Sequence, residues 1–93
     1  MEHITGTFRR EGRSVAEDAE VFLYVDVSIE PPQWFGSFEL PTGAQMSQPG
    51  DYEVDFADGR HGAVTVSLRP LLGKYQYGGF TGNGPLHEPA SVS

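Results

Sequence analysis

Between positions 50 and 68 apolar and polar residues alternate on both sides of an Asp-Gly pair, with Tyr52, Val54 and Phe56 before it and Val64, Val66 and Leu68 after it. This is the pattern of two strands with one buried and one wet face, joined by a hairpin turn. Register decides the turn. A two-residue loop of Asp58-Gly59 pairs Val54 with Ala63 and sends the two apolar rows to opposite faces, because a one-residue slip reverses every side chain. A three-residue loop of Ala57-Asp58-Gly59 pairs Val54 with Gly62 and Tyr52 with Val64, so both rows share a face. The pattern therefore predicts the three-residue loop, with Gly59 in the left-handed region that glycine enters without steric cost.

The alternation recurs upstream. Residues 4–10 read as a strand with Ile4, Gly6 and Phe8 on one face. Glu11-Gly12 signals a turn. Ser14-Val15-Ala16-Glu17 fits a capping box for one helical turn through Ala19, and also fits a strand continued through Val15. Residues 21–29 form the strongest strand, with Val21, Leu23, Val25, Val27 and Ile29 as an unbroken inward row. Pro31-Pro32 ends it, since neither proline can donate to a ladder. Residues 33–40 follow as a strand with Trp34, Phe38 and Leu40 inward and Gly36 at a close approach of backbone or ring. Residues 41–49 read as a polar loop anchored by Met46. Residues 71–84 hold five glycines (73, 78, 79, 82 and 84), read as a mobile turn or bent edge strand in which Gly78-Gly79 allows a bend or bulge. About six short strands at spacings of roughly ten residues predict an all-β, single-domain antiparallel barrel or compact sandwich over residues 1–84. Residues 85–93 read as a flexible C-terminal tail.

Composition narrows the function classes more than it selects one. The chain has 93 residues, no cysteine and a net charge of −7. Disulfide frameworks and thiolate metal sites are thereby excluded. The surplus of carboxylates repels phosphate backbones and anionic lipid, so neither nucleic acid nor membrane is expected as a partner. The N-terminal residues Met1-Glu2-His3-Ile4 lack a basic and apolar leader, which predicts a soluble, cytoplasmic chain.

Residues with chemistry are few. His3, His61 and His87 fall at a terminus, in a hairpin turn and in the tail, and no serine sits in a nucleophile elbow. Asp26, Glu30, Glu39, Glu53 and Asp55 lie on outer faces without the spacing of a calcium loop. Gly78, Gly79, Gly82 and Gly84 offer a phosphate-loop spacing, but Pro85 and Pro89 follow where a helix would have to begin. No catalytic, cofactor or metal site is expected, and no enzymatic activity.

Arg9-Arg10-Glu11-Gly12-Arg13 has an RxxxR spacing and Asp26-Val27-Ser28 a DxS start. These two fragments resemble PilZ domains, small β-barrels. The resemblance implies a module that binds cyclic di-GMP, with Arg9 and Arg13 among its contacts. An acidic inhibitor or immunity-type protein that meets a basic partner through Glu39, Glu53 and Asp55 is a further alternative.

The leading expectation rests on aromatic residues instead. Phe22 and Tyr24 project outward from their strand and Phe35 from the next, so pairing of those strands makes one apolar patch. Such a patch marks a contact surface, unless Val15, Leu71-Leu72 or the Tyr75–Tyr77 segment covers it as a second small core. Residues 71–80 either cap the domain or add to a sheet edge in a neighbouring subunit. Phe22, Tyr24, Phe35, Tyr75 and Tyr77 are the interaction candidates of a non-enzymatic domain that acts through a protein partner or as a homo-oligomer.

Overall fold

Alternating rows of apolar side chains leave a sheet one dry face, and closing the sheet on itself buries that face and removes its edges. The computed structural model, which describes residues 1–40, 48–70 and 76–88, adopts this solution. Six antiparallel strands, β1 (Glu2–Arg10), β2 (Arg13–Asp26), β3 (Gln33–Glu39), β4 (Gly50–Phe56), β5 (His61–Pro70) and β6 (Gln76–Gly82), close into a barrel in the order β1-β2-β3-β6-β5-β4. Two three-stranded meanders, β1–β3 and β4–β6, join at β3–β6 and at β1–β4. The barrel thus prevails over the sandwich.

The β4–β5 hairpin has the three-residue loop. Tyr52 pairs with Val64 and Val54 with Gly62, the Phe56 amide donates to the Arg60 carbonyl, and Gly59 adopts φ 95°. The β1–β2 connection is a two-residue loop in which Glu11 (φ 53°) and Gly12 (φ 80°) both take left-handed values, the type I′ combination that suits the twist of a hairpin.

Residues 14–19 are strand, not a helical turn, because pairing with β1 satisfies their backbone. The inward positions Ala16 and Ala19 are three apart, which strict alternation forbids. A bulge resolves this: Phe8 pairs with Ala16 and Gly6 with Ala19, so Thr7 faces both Glu17 and Asp18. Asp18 takes φ 53° and its amide donates to Thr7 Oγ1 at 3.4 Å, the local kink and unpaired residue of a β-bulge.

The core is built from rings seated on glycines. Phe8, Trp34, Phe38, Phe56 and Phe80 are buried, and Phe38 lies 4.5 Å from Phe8 between ring centroids. Six narrow strands cannot each send a large side chain inward at one level, so large and small residues alternate around the barrel. Phe38 faces Gly78 and Phe80 faces Gly36 across the β3–β6 pair, while Trp34 covers Gly62 and Gly82. This corrects the expectation for the glycine-rich segment. β6 is neither an edge nor bent, since it pairs without interruption with β3 on one side and β5 on the other. It therefore has no free edge to offer a neighbouring subunit. Met46 and residues 71–75, including Tyr75, lie outside the described residues.

Beyond β6, Leu86 packs against the core, and His87 forms an isolated bridge with His61, their amides donating to each other's carbonyls at 2.8 and 3.0 Å.

Candidate functional site

The β2–β3 register carries two of the interaction candidates into direct contact. Tyr24 pairs with Phe35. Both project from the outer face because their neighbours Leu23 and Trp34 point inward. Their rings stack at 5.6 Å with an interplanar angle of 6°, yet the residues remain 42% and 43% exposed. Phe22 lies two positions along the same face and is half-buried under the parallel ring of His3, 4.9 Å away. His3 is its cross-strand partner on β1. Tyr77 is exposed but pairs with Glu39 at the far end of β3, about 13 Å along the strand from Phe35 at 3.2–3.4 Å per residue. The candidates therefore divide: Tyr24 and Phe35 form one surface, Phe22 adjoins it, and Tyr77 stands apart.

A second apolar group lies at the strand ends. Val25, Val27 and Ile29 do not complete the inward row expected of them. They are exposed, Val27 by 75%. They lie beyond the stretch of β2 that pairs with β1, whose register begins at Glu2 opposite Leu23. β2 itself stops at Asp26, whose carboxylate accepts hydrogen bonds from the Ser28 amide at 3.0 Å and the Ser28 hydroxyl at 2.6 Å. This aspartate turn, followed by two prolines, swings Val27 and Ile29 over the end of the barrel. The signal for it was present in Asp26-Val27-Ser28, but the hydrophobic alternation masks it.

These residues frame an open cleft of about 860 Å³ at the barrel mouth. Trp34 forms its floor, and the indole N–H donates to the Gly84 carbonyl at 2.9 Å. Pro31, Pro32, Pro85 and Leu86 also line it. Arg60 lies beside the cleft and holds its wall together. Its guanidinium donates to both oxygens of Glu2 at 2.8 and 3.2 Å and to Asp58 at 2.7 Å. These bonds tie the β4–β5 turn to the start of β1. The hydrogen bond from Arg60 holds the Glu2 carboxyl below its usual range, and Glu2, with Asp58, raises the Arg60 guanidinium. Hydrogen bonds from the Ser28 hydroxyl and amide lower Asp26 in the same way.

The remaining chemistry-bearing residues are scattered. Arg9 is committed to Asp55 at 2.9 Å and Glu53 at 3.8 Å, so part of the acidic surface is neutralised within the chain. Arg9 and Arg13 lie beside the β1–β2 turn, whereas Asp26 and Ser28 lie at the other end of β2. The two fragments of the RxxxR and DxS pattern are thus held apart. The His61 and His87 rings stack at 5.0 Å. Among the described residues no three histidine or carboxylate side chains converge into a metal-binding set.

No family model, curated protein or solved structure matches the chain.

Proposed function

We propose that this chain is a non-enzymatic interaction module that works by protein–protein contact through the β2–β3 end of its barrel. One observation carries the reading. Among the described residues, five of the seven exposed large hydrophobic side chains (Tyr24, Val25, Val27, Ile29 and Phe35) fall within positions 24–35. Scattered exposed apolar residues are ordinary, whereas a concentration of them at one end of a small domain supports a contact role. The stacked Tyr24–Phe35 pair supports the same use, since large rings that lose little entropy on burial dominate interface energetics. The barrel is closed, so recognition here relies on side chains and on the strand ends.

The test compares the wild-type chain with Tyr24→Ser/Phe35→Ser, recovered from the native host in the cytosolic fraction under mild conditions and weighed intact. The reading expects a complex for the wild type, and a free chain with unchanged fold for the double variant. A variant that keeps its partner, or a wild type that elutes as a lone monomer, contradicts it.

A further inference from the structure

The segment that leaves β6 carries Asn83-Gly84, and Asn83 is the only asparagine in the chain. An asparagine followed by glycine is chemically labile. Its side-chain carbonyl carbon lies within reach of the next backbone nitrogen, and glycine adds no side chain to block the approach. Folding suppresses the reaction where it engages that nitrogen in a hydrogen bond. Here it does not. Gly84 lies past the end of β6, and among the described residues its N–H donates to no acceptor. Both residues are exposed, and apart from the chain neighbours no atom lies within 4 Å of where a Cβ on Gly84 would stand. The Asn83 side chain is held only at the surface, by Thr65 Oγ1 at 2.5 Å and Asp51 Oδ1 at 3.4 Å. Asp58-Gly59 is the contrasting case. The Gly59 N–H donates to the Phe56 carbonyl at 2.9 Å, and the Asp58 carboxylate accepts from the Arg60 amide and guanidinium at 3.0 and 2.7 Å.

We propose that Asn83 is a self-modification site, at which the folded chain deamidates through a cyclic imide and thereby loosens the anchor of Trp34. The Gly84 nitrogen gives up its proton and attacks Asn83 Cγ. A C–N bond forms there, the bond from Cγ to the side-chain nitrogen breaks, and that nitrogen leaves as ammonia. Water then opens the imide. Addition at Cγ leaves aspartate, and addition at the backbone carbonyl carbon leaves isoaspartate, in which the main chain runs through Cβ and Cγ. Water is the only co-reactant, and nothing is oxidised or reduced. Either product sets a carboxylate where Asp51 had an amide donor, so two like charges face each other. Isoaspartate also lengthens the main chain immediately before Gly84, whose carbonyl accepts the Trp34 indole N–H at 2.9 Å and fixes the floor of the cleft. The chemistry is independent of the contact proposed above.

The test holds the purified full chain for days at mildly alkaline pH, folded in buffer and unfolded in guanidinium chloride. Peptide mapping by mass spectrometry follows each site, and isoaspartyl methyltransferase quantifies isoaspartate. At Asn83 the folded chain is expected to react within about threefold of the unfolded rate. Isomerisation at Asp58 should instead slow at least about tenfold on folding, because its attacking nitrogen is engaged. The reaction at Asn83 should slow in mildly acidic buffer, since the Gly84 nitrogen must lose its proton. Trp34 is the only tryptophan in the chain, and its emission should drift in step with isoaspartate. Asn83→Ser, which lacks the reactive amide and is checked by thermal melting, should show no drift. An Asn83 that stays intact in the folded chain while the unfolded chain deamidates overturns the proposal. So does folding that slows Asn83 and Asp58 alike. Isoaspartate that accumulates without a change in emission, or a drift that Asn83→Ser shares, overturns the link to Trp34.

Discussion

Gly78 and Gly79 are neighbours in β6 that face opposite ways, and the packing predicts opposite results for the same substitution. A Cβ at Gly78 would lie 2.7 and 2.8 Å from the two Cε atoms of Phe38, and still closer to Cζ. Carbon atoms pack best at about 3.5–4.0 Å, so the ring must move by roughly an ångström. Its retreat is blocked, because Phe38 is fully buried between Phe8 at 4.5 Å and Phe80 at 6.3 Å. Overpacking of this kind costs about 1–3 kcal/mol, and the reduced freedom of alanine in the unfolded chain offsets about 0.4–1 kcal/mol. Gly78→Ala should therefore lose about 1–2 kcal/mol, which lowers the melting temperature by about 4–16 °C for a domain of this size. At Gly79 the added methyl meets only the Gly36 carbonyl oxygen and Ser67 Oγ, both at 3.6 Å. Gly79→Ala should be neutral or stabilising by up to about 1 kcal/mol. Urea denaturation followed by far-ultraviolet circular dichroism reads both, with an unchanged slope showing that stability alone has moved. Phe38→Leu should partly rescue Gly78→Ala, the pair costing at least about 1 kcal/mol less than the sum of the singles. Equal losses at 78 and 79, or an additive double variant, would refute the ring-on-glycine account of the core.

The remaining expectations concern turns and charges. Gly59→Ala should cost about 1–2 kcal/mol, because the loop holds this residue at φ 95°, where a Cβ clashes with the carbonyl; denaturant midpoints check it. Glu11→Asn should raise stability by up to about 1 kcal/mol, since Glu11 sits at φ 53° and asparagine tolerates that region. Because Glu2 and Asp26 titrate below their ordinary values of 4.5 and 3.8, the unfolded chain binds more protons than the folded one in that range. Their contribution is then present above those values and lost as the pH falls below them. The melting temperature should decline below about pH 4.5. Arg60→Ala should shallow that decline and cost about 1 kcal/mol, a modest value because Glu2 and Asp58 are substantially exposed.

The barrel and its main hairpin were legible in the sequence because period-two alternation reports which face is buried. Register alone, worked from the two apolar rows and the loop length, sets Tyr52 opposite Val64, and the barrel pairs them so. Alternation also misled, and always where a strand lost its neighbour or its regularity. It extended the inward row through Val25, Val27 and Ile29, since local pattern carries no information about where β2 ends in the Asp26–Ser28 turn. It could not separate strand from helical turn at residues 14–19, because the bulge at Asp18 shifts the inward positions from a spacing of two to three. Glycine was read as a bend when in β6 it is a seat for Phe38 and Trp34, a role visible only once the partner strand is known. For the candidate site, the outward placement of Tyr24 and Phe35 followed from alternation. The apolar mouth did not, as it depends on the Asp26–Ser28 turn and on the ends of three separate strands.

The contact reading is tested most directly by site-specific photo-crosslinking in the native host, with benzoylphenylalanine placed at position 24, at position 35 and, as a control, at the exposed Glu53 on β4. Adducts to one and the same partner from positions 24 and 35, with none from position 53, are the predicted result. Adducts formed as readily from position 53, or none from positions 24 and 35, would contradict it.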